Sequence, residues 1–258
     1  MYGNHRTNDG YRARIGVVMP SVNTVMEAWF PRAAPRGVSV HFNRMPISSD
    51  TSVEALNAMA AHERTAIEVV ADCEPDVIIH ACTASIMVKG RAHDLELMDE
   101  LGAAVGVPCC TMTEAIALGL DAVEARRICI ASPYPTVVEE RERAFFEEAG
   151  YEVTGMRSFG IADNRELADP SPGEIYRLGK DAWVEGSDAL LISCGALRAH
   201  FIVAELERDL GHPVVTSTQA TLWAALRLAG VRDPLPEYGA LMETEALSRP
   251  LATPAVDI

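Results

Sequence analysis

Along this chain short apolar runs alternate with stretches whose apolar residues recur every three to four positions. Residues 14–19, 38–44, 77–81, 127–131, 152–157, 189–193 and 214–217 read as strands. Several are almost wholly apolar, as in strands covered on both faces. Residues 53–72, 93–101, 136–149, 172–185, 200–210 and 217–228 read as helices. Gly150 and Gly230 stand where a left-handed glycine would end two of them. Alternation of strand and helix predicts parallel, doubly wound sheets of the α/β class.

The pattern also repeats. Asp76–Cys82 reads D-V-I-I-H-A-C, and Asp188–Cys194 reads D-A-L-L-I-S-C. The run from Arg14 to Pro20 is echoed from Arg127 to Pro133, and G-x-P-x-x-T-x-T-x-A occurs from Gly106 and again from Gly211. The offsets are 113 (Arg14 to Arg127), 112 (Cys82 to Cys194) and 105 (Gly106 to Gly211) residues, in one order. Two pseudo-symmetric Rossmann-like lobes follow, each a parallel sheet flanked by helices. The first is expected over 13–118 plus 215–250 and the second over 119–214, with flexible tails at 1–12 and 251–258.

A chain of 258 residues can bury a large core. Its net charge of −15 argues against nucleic acid or an anionic membrane as partner. There is no run of about 18 apolar residues, and the first twelve residues lack a signal-peptide core, so a cytoplasmic location is expected. The six cysteines form no C-x-x-C pair and the seven histidines no H-E-x-x-H, so no metal site is expected. Phosphate-binding glycine motifs and G-x-S-x-G are absent too.

Candidate chemistry gathers where the strands end, since open α/β sheets bind ligands beyond their carboxyl edges. Cys82 and Cys194 both follow apolar strands, as do Pro20 and Pro133. A lone cysteine there is commonly a small buried hydrophobe. Two at matching repeat positions, facing a shared cleft, point to chemistry. Thr83 or Ser85 could cap a helix after Cys82, and such a helix start would lower the thiol pKa. Gly195 would admit a substrate close to the backbone. Asn23 could offer an amide to a carboxylate or merely cap a helix, and Tyr134 could offer a phenol or merely fill the core. Asn164, in Ala162-Asp163-Asn164, reads alone as a turn.

The segments V-M-P-S-V-N-T-V-M-E (Val18–Glu27), H-A-C-T-A-S-I-M-V-K-G (His80–Gly90), S-P-Y (Ser132–Tyr134), A-D-N (Ala162–Asn164) and L-I-S-C (Leu191–Cys194) resemble the Asp/Glu racemase superfamily. Within it they resemble the maleate cis–trans isomerases and their relatives the arylmalonate decarboxylases. The resemblance implies the Asp/Glu racemase fold, no cofactor, and a homodimer or tetramer. It makes Cys82 the nucleophile and Cys194 its partner thiol. Asn23, Tyr134 and Asn164 would hold two substrate carboxylates, with Pro20, Thr83 and Gly195 lining the site. Arg198 departs from the family pattern and could meet an acidic substrate group or only solvate a helix. The expected activity is cis–trans isomerisation of maleate or a substituted maleate. A two-thiol racemase or epimerase is the alternative, and a malonate decarboxylase a weaker one, since that branch keeps only the second cysteine. A non-catalytic dicarboxylate-binding protein is a further rival.

Overall fold

The computed structural model describes residues 10–245 together with 247, 249 and 251. The tails expected at 1–12 and 251–258 lie for the most part outside these residues. Strand β1 (Ala13–Pro20) pairs in parallel with β2 (Val38–Met45) and β3 (Val77–His80), and β3 with β4 (Cys109–Thr111). In the second sheet β5 (Arg127–Ser132) pairs in parallel with β6 (Glu152–Ser158) and β7 (Ala189–Ile192), and β7 with β8 (Val214–Thr216). The orders β2-β1-β3-β4 and β6-β5-β7-β8 are the same, so the sequence repeat is a structural one. The helices are α1 (Met26–Ala33), α2 (Val53–Ala60), α3 (Glu63–Ala71), α4 (Thr83–Met87), α5 (Arg91–Val105), α6 (Met112–Ala122), α7 (Thr136–Glu148), α8 (Pro172–Ala182), α9 (Val203–Leu210) and α10 (Ser217–Leu228).

The echoed residues have local reasons to recur. The Asp76 carboxylate accepts the Arg14 N–H at 2.8 Å, and Asp188 accepts the Arg127 N–H at 2.7 Å. Each thus holds the start of its lobe's central strand. Thr111 caps α6 by accepting the Glu114 N–H at 3.0 Å, and Thr216 caps α10 by accepting the Gln219 N–H at 3.1 Å. α6 packs along α10 where the lobes meet. Gly150 and Gly230 follow α7 and α10 with φ of 93° and 76°, the left-handed conformation expected of them.

Several elements differ from the sequence expectation. Residues 53–72 form two helices, α2 and α3. Met59 of α2 packs in one core cluster with Ile67 and Val70 of α3, while Leu56 of α2 reaches across to a cluster formed mainly by the second lobe. α1 was not expected because Pro31 lies inside it. α6 was not among the expected helices, and it is buried from Met112 to Leu120. β4 and α4 are too short for periodicity. Residues 200–210 begin as a 3-10 turn at Ala199–Phe201 before α9.

The register of β5 on β6 shifts between Ile128 and Cys129. Just beyond, Gly155 lies against the end of α8. A Cβ there would stand 2.6 Å from the Ala182 carbonyl oxygen and 2.7 Å from Val184. Backbone cannot yield as a side-chain tip can, so Gly155→Ala is expected to destabilise the fold by about 1–3 kcal/mol. A urea unfolding midpoint equal to the parent's would contradict this.

Candidate active site

The carboxyl edges of both sheets converge on one buried cavity. Pro20 ends β1, while Cys82, Tyr134 and Cys194 each lie two residues beyond β3, β5 and β7. These four line the cavity together with Asn23, Thr83 and Asn164. Gly195 stands behind it, its carbonyl accepting from Asn23 Nδ2 at 3.0 Å. The cavity measures about 40 Å³, and the apolar side chains of Ile47, Leu56 and Leu167 close it. A water needs roughly 10–15 Å³ by such a measure, so there is room for a few waters at most. No Lys, Arg, His, Asp or Glu lines it among the described residues. Among those residues, too, no three His, Cys, Asp or Glu side chains are grouped to hold a metal ion. Charge on a ligand must therefore be met by neutral donors.

The two thiols differ in their backbones. Cys82 is extended (φ −140°, ψ 110°) and begins α4. The Ser85 hydroxyl and the Ser85 and Ala84 N–H groups point at its sulfur and favour the thiolate, yet burial is larger and the Glu63 carboxylate opposes them as well. The net direction is upward from the ordinary thiol range. This corrects the expectation that the helix start would lower it, because a five-residue helix cannot offset full desolvation. Alkylation of Cys82 in the ligand-free protein should rise about tenfold per pH unit from pH 7 to beyond pH 9, since only the thiolate reacts. A rate already level at pH 7.5 would contradict this.

Cys194 has φ +93°, a left-handed conformation rare for a side chain with a Cβ. The strain is held by its surroundings. Its N–H donates to Ser217 Oγ at 2.9 Å, and the Ala196 N–H donates to its sulfur at 3.4 Å. A Cβ on Gly195 would stand 2.8 Å from Met112 Cε, so the next residue is free of one. Burial pushes the Cys194 thiol up to about 11 against the opposing Tyr134 hydroxyl and Ala196 N–H. It is a protonated thiol at neutral pH. Burial first, and then the neighbouring Cys194, hold the Tyr134 phenol well above its ordinary range, so it too keeps its proton.

Tyr134 joins the halves of the site, its hydroxyl 2.6 Å from Thr83 Oγ1. A second tie crosses at the strap 48–51. Asn164 Nδ2 donates to the carbonyls of Ser48 at 3.0 Å and Asp50 at 2.7 Å, and its N–H donates to Ser49 at 2.6 Å. The Thr51 N–H and hydroxyl both donate to the Ala162 carbonyl. Both Asn164 amide hydrogens are therefore engaged by backbone. Asn23 accepts the Val25 and Met26 N–H groups, capping the start of α1, and keeps one amide hydrogen beyond its bond to Gly195. Arg198 lies outside this cavity. Its Nη2 donates to the carbonyls of Asp169 and Pro170, and it lines a neighbouring surface hollow with Trp29 and His200.

Sequence reading did not single out Ile47, Leu56 and Leu167, whose apolar patterns are ordinary. It also passed over Glu142. On α7 the buried positions are Val138, Glu142, Phe145 and Phe146, so a carboxyl occupies an apolar stripe, and that was a legible signal.

The arylmalonate decarboxylase family profile matches residues 49–242. The chain is 30% identical to a maleate isomerase of Pseudomonas putida over 89% of this chain and 96% of that one. It is 37% identical to an arylmalonate decarboxylase of Bordetella bronchiseptica over 62% of this chain and 68% of that one. A structure of Nocardia farcinica maleate cis–trans isomerase, a cysteine-to-serine mutant with a covalently bound succinylcysteine intermediate, superposes with a TM-score of 0.86. That pair shares 25% identity over 91% of this chain and 99% of the other.

Proposed function

The chain belongs to the arylmalonate decarboxylase family, and from that premise we propose that it is a cofactor-independent cis–trans isomerase of a small unsaturated dicarboxylate, maleate in the simplest case. The observation that carries the reading is the pair of thiols at matching strand ends, facing one cavity from the two lobes. Maleate isomerase structures superpose with a TM-score of 0.86 and that of arylmalonate decarboxylase with 0.75, which supports the isomerase branch.

Cys82 is the nucleophile in this reading. It loses its proton to water, and the sulfur pair forms a C–S bond to one alkene carbon. The π pair moves to the neighbouring carbon and its carboxylate, and the Cys194 S–H proton is delivered to that carbon. The bond between the two carbons is now single and rotates. Cys194 then takes the proton back, the C–S pair returns to Cys82, and the trans alkene leaves. A thiol with its pKa near 11 suits the donor role of Cys194, and its thiolate is a strong enough base to recover the proton. The free Asn23 amide hydrogen and the Tyr134 hydroxyl meet the carboxylate on which charge builds up. Asn164 would reach a carboxylate only if the strap 48–51 moved, so substrate entry and strap opening are coupled. Pro20 and Thr83 shape the walls, and Gly195 acts from behind them through the carbonyl that holds Asn23. All six cysteines are free thiols, which suits a cytoplasmic enzyme, and a homo-oligomeric assembly belongs to the same reading.

The test is a proton NMR time course with maleate in D₂O. Fumarate should form with the parent protein and not with Cys82→Ser. Cys194→Ser should stall, with intact mass increased by one maleic acid on Cys82. No fumarate from the parent protein would overturn the reading. Exchange of an α-proton in an amino or hydroxy acid without alkene turnover would favour a racemase instead.

A further inference from the structure

Behind the second thiol lies a carboxyl group that the reaction above does not use. Glu142 is completely buried on α7, and neither of its oxygens makes a well-formed hydrogen bond. A native fold rarely leaves a buried carboxyl so poorly satisfied without a reason. Its neighbours are the Ser132 and Ser193 hydroxyls. Ser132 ends β5, two residues before Tyr134, and Ser193 immediately precedes Cys194. One carboxyl thus stands between the two strand ends that present the phenol and the strained thiol.

We infer that Glu142 is a positioning residue that joins these strand ends through Ser132 and Ser193 and that sets, by its own charge, how firmly Cys194 holds its proton. The inference rests on the proposed role of Cys194 as proton donor. Burial pushes the Glu142 carboxyl up to about 7, against the two hydroxyls, so its charge changes near neutrality. As an anion it raises both Cys194 and Tyr134, which keeps two donors protonated. Its own helix also carries Glu139, one turn earlier, which pushes it up, and Glu140, Arg141, Arg143, Glu147 and Glu148. Of the elements packed against α7, β6 brings Glu152 and Arg157, both exposed, and α4 has no ionisable side chain. α5 brings Arg91, which stands over the Phe145 ring. The carboxyl answers mainly to burial, the two serines and Glu139, and acts in turn on the thiol and the phenol.

The experiment reads Cys194 without a substrate. In a Cys82→Ser background, iodoacetamide labelling of Cys194 is followed by mass spectrometry from pH 5.5 to 10. The logarithm of the rate should climb with pH, flatten between about pH 6 and 8 as Glu142 ionises, and climb again, as coupled sites do. Glu142→Gln should remove the flattening and speed labelling at pH 9 by about fivefold or more. Ser193→Ala, which keeps the carboxyl but loses a hydroxyl that supports its ionised form, should move the flattening to higher pH. This second variant decides the matter where the buried glutamine prevents folding. In an otherwise unaltered protein, Glu142→Gln should lower kcat for maleate while leaving KM within about twofold. A straight labelling profile in the parent, or one that neither variant changes, overturns the inference. Failure of maleate turnover alone overturns the isomerase reading and leaves the labelling result standing.

Discussion

Cys82→Ser should lower kcat for maleate by at least about a thousandfold while KM changes little. The oxygen takes up less room than the sulfur, so the closed cavity and its walls persist. What is lost is an ionisable nucleophile. The donors at the start of α4 only partly offset burial for a thiol, and a hydroxyl begins several units further from ionisation. Initial rates at pH 8, where the parent carries more thiolate, give the cleanest comparison. Activity within tenfold of the parent would remove Cys82 from bond formation and leave Cys194 as the sole candidate.

Tyr134→Phe should lower kcat about a hundredfold, the scale seen when one donor to a developing anion is removed. The phenol is buried, protonated and in contact with Thr83 across the site. Losing the hydroxyl also strips Thr83 of a partner, at a cost of about 1 kcal/mol in stability. The two effects separate cleanly, because so small a loss leaves the protein folded at 25 °C. A kcat within threefold of the parent would reduce Tyr134 to packing.

The fold was legible because its repeat was. Shifting residues 217–228 back by the 105-residue offset gives 112–123, and α6 runs from Met112 to Ala122. The same shift carries β8 onto β4. Residues 112–122 were not read as a helix, yet the echo of the capping threonine marks them as the counterpart of α10. The convergence of Cys82, Cys194 and Tyr134 on one cavity was legible where chemistry and repeat coincided. The lack of any charge on the cavity lining and the strap from 48 to 51 were not, because both depend on which loop crosses which strand end. Nor could spacing show that the symmetry breaks just past the cysteines. A helix follows Cys82, whereas a left-handed turn and Gly195 follow Cys194. That difference gives two like residues unlike surroundings.

The small, uncharged enclosure has a further consequence once the shape of the ligand is allowed to change. A cis diacid is bent, with its carboxylates on one side, and a trans diacid is straight and longer. Walls made of Ile47, Leu56 and Leu167 cannot follow a molecule as it extends. Among the described residues no lysine or arginine lines the cavity to hold a product by charge. For the proposed reaction this makes shape the discriminator: walls that fit a bent diacid fit its extended product less well, so conversion itself favours release.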